Sequence, residues 1–172
     1  MTEMNDTAYT ELVMVREFKV SPEKLFDAWI DPVMMRKWLM SMEATNKSAS
    51  SDPRVGGLWE IIDVRGGKEY RAVGRYLEID RPIKLVFTFQ MPQFSEFEDT
   101  ITVNIKATEE GCKMVFTQHI RVPVEENWTD EDTRRAVEEF HDSSQHGWHY
   151  MFVGLKMLAE EGITPVMPPA SE

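Results

Sequence analysis

Ile83-Lys84-Leu85-Val86-Phe87-Thr88-Phe89-Gln90-Met91 is the stretch that decides the architecture. Ile83, Leu85, Phe87, Phe89 and Met91 alternate with Lys84, Val86, Thr88 and Gln90. A period of two puts the apolar set on one face of a β-strand. Upstream, Asp80-Arg81-Pro82 turns the chain out of a strand over Glu69–Ile79. Gly66-Gly67 is a two-glycine hairpin joining that strand to Leu58–Val64, which Gly56-Gly57 introduces. Downstream, Ile101, Val103, Ile105 and Ala107 alternate with Thr100, Thr102, Asn104 and Lys106. Glu109-Glu110-Gly111 makes the last hairpin, and Met114, Phe116, Gln118 and Ile120 share a face of the strand after it. Short links of this kind join antiparallel neighbours, so residues 44–121 form a meander with one buried face.

Helices flank the meander. Residues 9–20 read as a first strand, with Leu12, Met14, Arg16 and Phe18 on one side and Val13 and Val15 on the other. Ser21-Pro22-Glu23-Lys24 supplies an N-cap and a proline at the first helical position, and Leu25, Phe26, Trp29 and Ile30 continue with helical spacing. Asp31-Pro32 ends that helix and opens a second short one carrying Val33, Met34, Lys37 and Trp38. After Pro123 a helix runs to about Glu161, with Val137, Phe140, Ser144, Trp148, Met151, Leu155 and Leu158 as one stripe. Asp142-Ser143-Ser144 is a candidate internal cap that would kink or break it; Gly162 caps the end and Pro165 stops it. The expected organisation is a disordered tail over 1–8, one domain over 9–162, and a proline-containing tail over 163–172.

A sheet of six or seven strands is about 28–33 Å wide at roughly 4.7 Å per strand. One helix, about 10–12 Å across, does not cover it unless the sheet curls. The expected fold is therefore α+β: a curved antiparallel sheet around a long C-terminal helix, with two short helices after the first strand. A sheet that grips one helix leaves an apolar interior cavity, the usual form of a small-molecule site. The competing reading is a filled core, which 9 Phe and 12 Met are able to supply.

Composition bounds the function. The 172 residues carry a net charge of −11, which argues against nucleic acid, whose phosphates select clustered Lys and Arg. A single cysteine, Cys112, leaves no internal disulfide framework and suits a reducing compartment. The first residues lack the basic and apolar regions of a signal peptide, and no apolar run is long enough to span a membrane. Asn5, Asn46 and Asn127 match the glycosylation pattern, which carries little weight without a secretion signal. The expected location is cytoplasmic, with no nucleic-acid or membrane partner.

Four motifs resemble the activator-of-heat-shock-protein-90-ATPase homologue family, within the START-like (SRPBCC, birch-pollen-allergen-like) superfamily. They are Arg16-Glu17-Phe18 through Ser21–Trp29 with Asp31-Pro32 and Lys37-Trp38; Val55-Gly56-Gly57-Leu58-Trp59-Glu60; Gly74–Pro82 running into Leu85–Phe89; and His146-Gly147-Trp148 with Leu155 and Leu158. Together they cover roughly residues 13–161. The resemblance implies the helix-grip fold. It also implies a superfamily whose members bind lipids, hormones or polyketides, some acting as cyclases or hydrolases. The eukaryotic namesake stimulates a chaperone's ATPase with an additional domain. Where the family often carries Trp-Trp, this chain has Trp38-Leu39.

Candidate chemistry is sparse. Asp142, His146 and His149 share one helical face, but it points away from the apolar stripe, so a solvated face is the expectation and no metal is expected. Asp142, Ser143 and His146 crowd one turn instead of converging from separate elements, which argues against a catalytic triad. The glycine pairs lack the spacing of a phosphate loop, and no cofactor is expected. Gln118 shares parity with the apolar face of its strand, while neighbouring His119 faces outward. A buried amide needs partners, either a ligand or Thr88, Thr117 or water. Met34, Met35, Met40 and Met42 cluster beside Trp38, as an adaptable apolar mouth or as core filling. Glu125–Asp142 holds eight acidic and two basic residues, read as solubility and helix capping, with a basic partner as the alternative.

The resulting expectation is a domain that binds a small hydrophobic or amphipathic ligand without catalysis. Its cavity would be lined by Trp38, Trp59, Phe87, Phe89, Met91, Trp148 and Phe152, with Gln118 and Tyr76 fixing orientation. A co-chaperone-like protein-interaction module is the alternative. An enzyme acting on a cavity-bound substrate comes third, since no titratable pair is assigned to the interior. Val153 and Met157 are placed on the outward side of the closing helix, a possible dimer strip, and monomer and homodimer both stay open.

Overall fold

The computed structural model describes residues 7–163. The two tails lie outside them apart from Thr7, Ala8 and Ile163. The chain runs β1 (Thr7–Phe18), α1 (Pro22–Ile30), α2 (Pro32–Trp38), β2 (Asn46–Ser51), β3 (Leu58–Arg65), β4 (Lys68–Asp80), β5 (Lys84–Phe89), β6 (Asp99–Ala107), β7 (Cys112–Pro123) and α3 (Asp130–Glu161). The seven strands form one antiparallel sheet in the order β1-β7-β6-β5-β4-β3-β2. This is the helix-grip α+β architecture expected from the pattern. β1 starts at Thr7, ahead of the expected boundary, because Thr7 and Ala8 pair with Pro123 and Val122.

Local signals place most elements. Ser21 Oγ accepts from Lys24 N and Asp31 Oδ1 from Val33 N, each ahead of a proline at the helix start. The β3–β4 hairpin turns through Gly66 and Gly67 at φ 59° and 77°, a left-handed pair that glycine adopts without strain. Ile83 departs from the expected alternation: it precedes β5 in the turn, is half exposed, and its carbonyl accepts from Ile105 N.

β2, Asn-Lys-Ser-Ala-Ser-Ser, has no apolar alternation and forms the sheet edge. It is held by backbone pairing to β3, with a bulge between Asn46 and Ser48. The middle of the sheet is interrupted as well. β4 pairs with β5 from Tyr76 to Asp80, and resumes only as an isolated bridge between Val73 and Gln90. In the gap Arg75 N donates to Thr88 Oγ1 (3.0 Å) and Trp59 Nε1 donates to Thr88 O (3.2 Å). A ladder broken there bends the sheet, as bulges do.

α3 is continuous for 32 residues, so Asp142–Ser144 neither caps nor breaks it. It starts later than the sequence suggested, at a capping box in which Thr129 Oγ1 accepts from Asp132 N and Asp132 Oδ2 from Thr129 N. Its two halves differ. Trp148, Phe152, Gly154, Leu155, Leu158 and Ala159 are buried, while Val137 and Ser144 are half-buried and Phe140 is exposed. The C-terminal half is also tied to the end of β1: Glu160 Oε2 accepts from Lys19 N (2.8 Å) and Lys156 Nζ donates to Glu17 O (2.8 Å). In the N-terminal half Ala136 and Val137 still pack against the edge of the core, and space opens along the helix from Phe140 onward.

Trp29 of α1 occupies the centre of the core. Its ring lies 4.8 Å from Trp38, 5.8 Å from Phe87, 6.0 Å from Trp148, and 6.2 Å from both Phe116 and Phe152. One residue thus packs against both other helices and two strands, at separations typical of interacting aromatic pairs.

Candidate functional site

The interior is packed at its centre, with pockets beside it. The centre is filled by aromatic rings, and the space lies along α3 from Phe140 to Met157. There two neighbouring cavities open, of about 430 and 420 Å³. The first is bounded by Trp38, Met42, Asp63, Tyr150, Val153 and Met157. The second is bounded by Phe89, Phe97, Asp99, Gln118, Arg121 and Trp148. Met40, Met91, Gly147 and Met151 belong to both walls, so three methionines and a glycine form the boundary between them. Val153, expected on an outward strip, is exposed, and together with the half-buried Met157 it also forms the edge of the first wall.

Met40 is unusual in its backbone. It has φ 53°, in the left-handed region that costs a side-chain-bearing residue on the order of 1 kcal/mol or more. Its N–H donates to Met151 Sδ at 3.3 Å, linking the segment after α2 to α3 across the boundary. Methionine side chains re-pack easily, so this boundary is deformable.

The expected lining residues divide into two groups. Trp38, Phe89, Met91, Gln118 and Trp148 line one or both cavities. Trp59, Tyr76, Phe87 and Phe152 pack in the aromatic core instead: Trp59 stacks on Phe89 at 6.3 Å, and Phe87 lies between Trp29, Trp59 and Tyr76. Aromatic neighbours occupy the space around all four.

Tyr76 spends its hydroxyl on Ser51 Oγ (2.8 Å). Burial pushes its phenol up to about 12, opposed by the Ser51 bond and assisted by the Asp52 charge. The native state keeps this proton where an unfolded chain releases it near 10. Stability therefore falls as pH rises from 10 toward 12, by about 2–3 kcal/mol for that interval. Denaturation midpoints of the protein and of Tyr76→Phe should diverge across that range, with the wild type losing more; parallel curves would contradict this assignment.

Gln118 is buried and fully engaged, though not by the partners expected. Its Nε2 donates to Asp99 Oδ2 (2.9 Å) and its Oε1 accepts from Trp148 Nε1 (3.0 Å). Asp99 Oδ1 also accepts from Arg121 N (3.0 Å). Burial pushes the Asp99 carboxyl up, against those two hydrogen bonds and the Arg121 charge. The cavity wall therefore does contain titratable groups, contrary to the sequence expectation. Asp99 sits at the first position of β6, before the alternation that marks the strand, and Arg121 lies on the outer parity of β7 near its end. Neither position signals an interior role.

Asp63 in the first wall is buried but satisfied. Oδ1 accepts from Ser41 Oγ (2.9 Å) and Thr45 Oγ1 (2.5 Å), and Oδ2 pairs with Arg65 Nε (2.6 Å). This network holds the 41–45 connection against β3. The histidines stand elsewhere: His119 pairs with Glu11 on the outer face (3.3 Å), and His149 Nδ1 lies 3.2 Å from Arg16 Nη2. Among the described residues no group of three His, Cys, Asp or Glu side chains is arranged to hold a metal ion, and no helix is long and apolar enough to cross a membrane.

The architecture is that of a helix-grip domain with apolar space between sheet and helix. A family model described as Activator of Hsp90 ATPase homolog 1-like protein matches residues 19–160, and the chain belongs to that family. Among solved structures, protein SA2116 of Staphylococcus aureus, of unknown function, is 28% identical with a TM-score of 0.81, over 87% of this chain and 93% of that one. An uncharacterised protein from Rhizobium leguminosarum (19% identity, TM-score 0.69, 89% and 95% covered) shares the fold. So does protein CV1439 of Chromobacterium violaceum (18% identity, TM-score 0.66, 87% and 97% covered). No curated protein matches the chain.

Proposed function

We propose that the domain binds a small hydrophobic or amphipathic molecule in the paired cavities beneath α3. The observation that carries this reading is the methionine-bounded space itself, two volumes within the usual range of ligand sites with an apolar wall and a few fixed polar groups. Apolar burial would supply most of the affinity, at roughly 25 cal/mol per Å².

Gly147 provides the test. It lines both cavities, and a Cβ built there meets nothing within 4 Å. Gly147→Ala should stabilise the helix by about 0.5–1 kcal/mol and leave room for ligand. Gly147→Leu, also a good helix former, should fill the space and abolish binding of a neutral apolar fluorophore such as N-phenyl-1-naphthylamine without unfolding the chain. Unchanged fluorophore binding by Gly147→Leu would defeat the proposal.

A co-chaperone-like role is the second reading, favoured by the family's description and by the acidic, exposed first half of α3. Charge reversal at the exposed Glu138 and Glu139 would impair a protein contact and spare fluorophore binding.

A further inference from the structure

Arg121 is the cation among the residues that line the second cavity, and among the described residues its side chain makes no hydrogen bond or ion pair. Its Nε is sealed from solvent without a partner. The group is held by rings instead: its guanidinium carbon lies 4.4 Å from the Phe97 ring centroid and 5.9 Å from that of Tyr9. Aromatic faces position a guanidinium while leaving its in-plane donors unspent. The backbone of the same residue is fixed by its bond to Asp99. A guanidinium left short of acceptors is costly, and a carboxylate is the acceptor whose geometry it fits best.

We propose that the cavity takes an apolar monocarboxylate, an alkyl or aryl acid whose carboxylate accepts hydrogen bonds from Arg121. Its hydrocarbon body lies between Phe89, Phe140 and Trp148 and continues past Met40 and Met151 into the neighbouring space. This rests on the ligand-binding reading above and names the ligand's class. Asp99 on the same wall limits the charge: Arg121 is the one cation among the described residues lining this cavity and already offsets Asp99, so each further negative charge adds repulsion and a dianion such as a phosphate monoester is disfavoured more than a monocarboxylate. Ser143 and Ser144 on α3 line the same cavity and offer hydroxyl donors.

The test is displacement of N-phenyl-1-naphthylamine, a neutral probe, from the full chain near neutral pH. The competitors are dodecanoate, 1-dodecanol and dodecyl phosphate, each below its micelle-forming concentration. Dodecanoate should compete roughly tenfold to a hundredfold better than the alcohol, as a charge-assisted hydrogen bond implies. It should also outcompete the phosphate. Arg121→Met should bring the acid-to-alcohol ratio to about one. Equal competition by acid and alcohol, a preference for the phosphate, or a preference retained in Arg121→Met each overturns the carboxylate assignment and leaves the ligand-binding reading standing. Failure of the wild type to bind the neutral probe at all removes both. The wild-type ratio decides the matter even where Arg121→Met does not fold.

Discussion

Gly74→Ala should destabilise the protein by about 3 kcal/mol or more, although alanine is a conservative change in an extended strand. A Cβ at this position would lie 1.8 Å from Thr88 O, 2.5 Å from Trp59 Nε1 and 2.7 Å from Thr88 C. Two of these three atoms are backbone, and the third is an indole nitrogen held by its own hydrogen bond, so no flexible side chain is available to give way. β4 would have to retreat from β5 by more than an ångström. That retreat would break the paired bonds between Val73 and Gln90 (2.9 Å each) and the Trp59 bond to Thr88 O. Three hydrogen bonds at about 1 kcal/mol each set the lower estimate, before any strain is added. Urea denaturation read by far-ultraviolet circular dichroism measures it. A midpoint within error of the wild type would show that the sheet tolerates separation at its bend, contrary to this account.

Trp29→Ala should have an effect of similar or greater size, about 3–5 kcal/mol, which is a large part of the roughly 5–15 kcal/mol that holds a domain together. The indole touches five aromatic rings from α2, α3, β5 and β7, so its removal opens a hole where the helices meet the sheet. Trp29→Phe should cost much less. Its ring keeps much of the contact, and it removes an indole N–H that has no partner among the described residues. The informative quantity is the difference between the two variants in denaturation midpoint. Equal losses would mean that the indole's particular bulk is not what joins these elements.

Much of the fold was legible because period and punctuation are local. Leu85 and Phe87, or Val103 and Ile105, declare their face by alternation. Ser21-Pro22 and Asp31-Pro32 declare two helix starts within single turns. β2 was not placed from its residues, since Asn46–Ser51 contains no apolar alternation and owes its conformation to its neighbour. Phe140 in the first half of α3 misled in the opposite direction: it continues the apolar stripe but stays exposed at the mouth of the second cavity, whereas Val137 packs against the core. Periodicity reports which side of a helix is apolar and does not report whether anything lies opposite.

The candidate site shows the same division more sharply. Spacing puts Phe87, Phe89, Met91, Gln118 and Trp148 on the apolar face of their elements, yet Phe87 lies in packed core, as do Trp59, Tyr76 and Phe152, which no periodicity marks. Asp99 and Arg121 carried no signal of a role, because an acid at a strand start and an arginine on an outer parity are each unremarkable in isolation, and the motif that contains Gly147 marks the family without marking a cavity wall.

By itself the sequence determined the class of fold, the order of its elements apart from β2, the apolar faces of β1, β5, β6 and β7, and the family to which the chain belongs. Those properties are set by contacts within a few residues and by motifs read in order. Only the tertiary structure decided where the core is full and where it is open. That outcome depends on how far the sheet bends at Gly74 and on which half of a 32-residue helix meets it. It depends as well on Met40, Met91 and Met151, far apart in the chain, arriving at one boundary. Empty volume is a relation between surfaces, and no single stretch of residues encodes it.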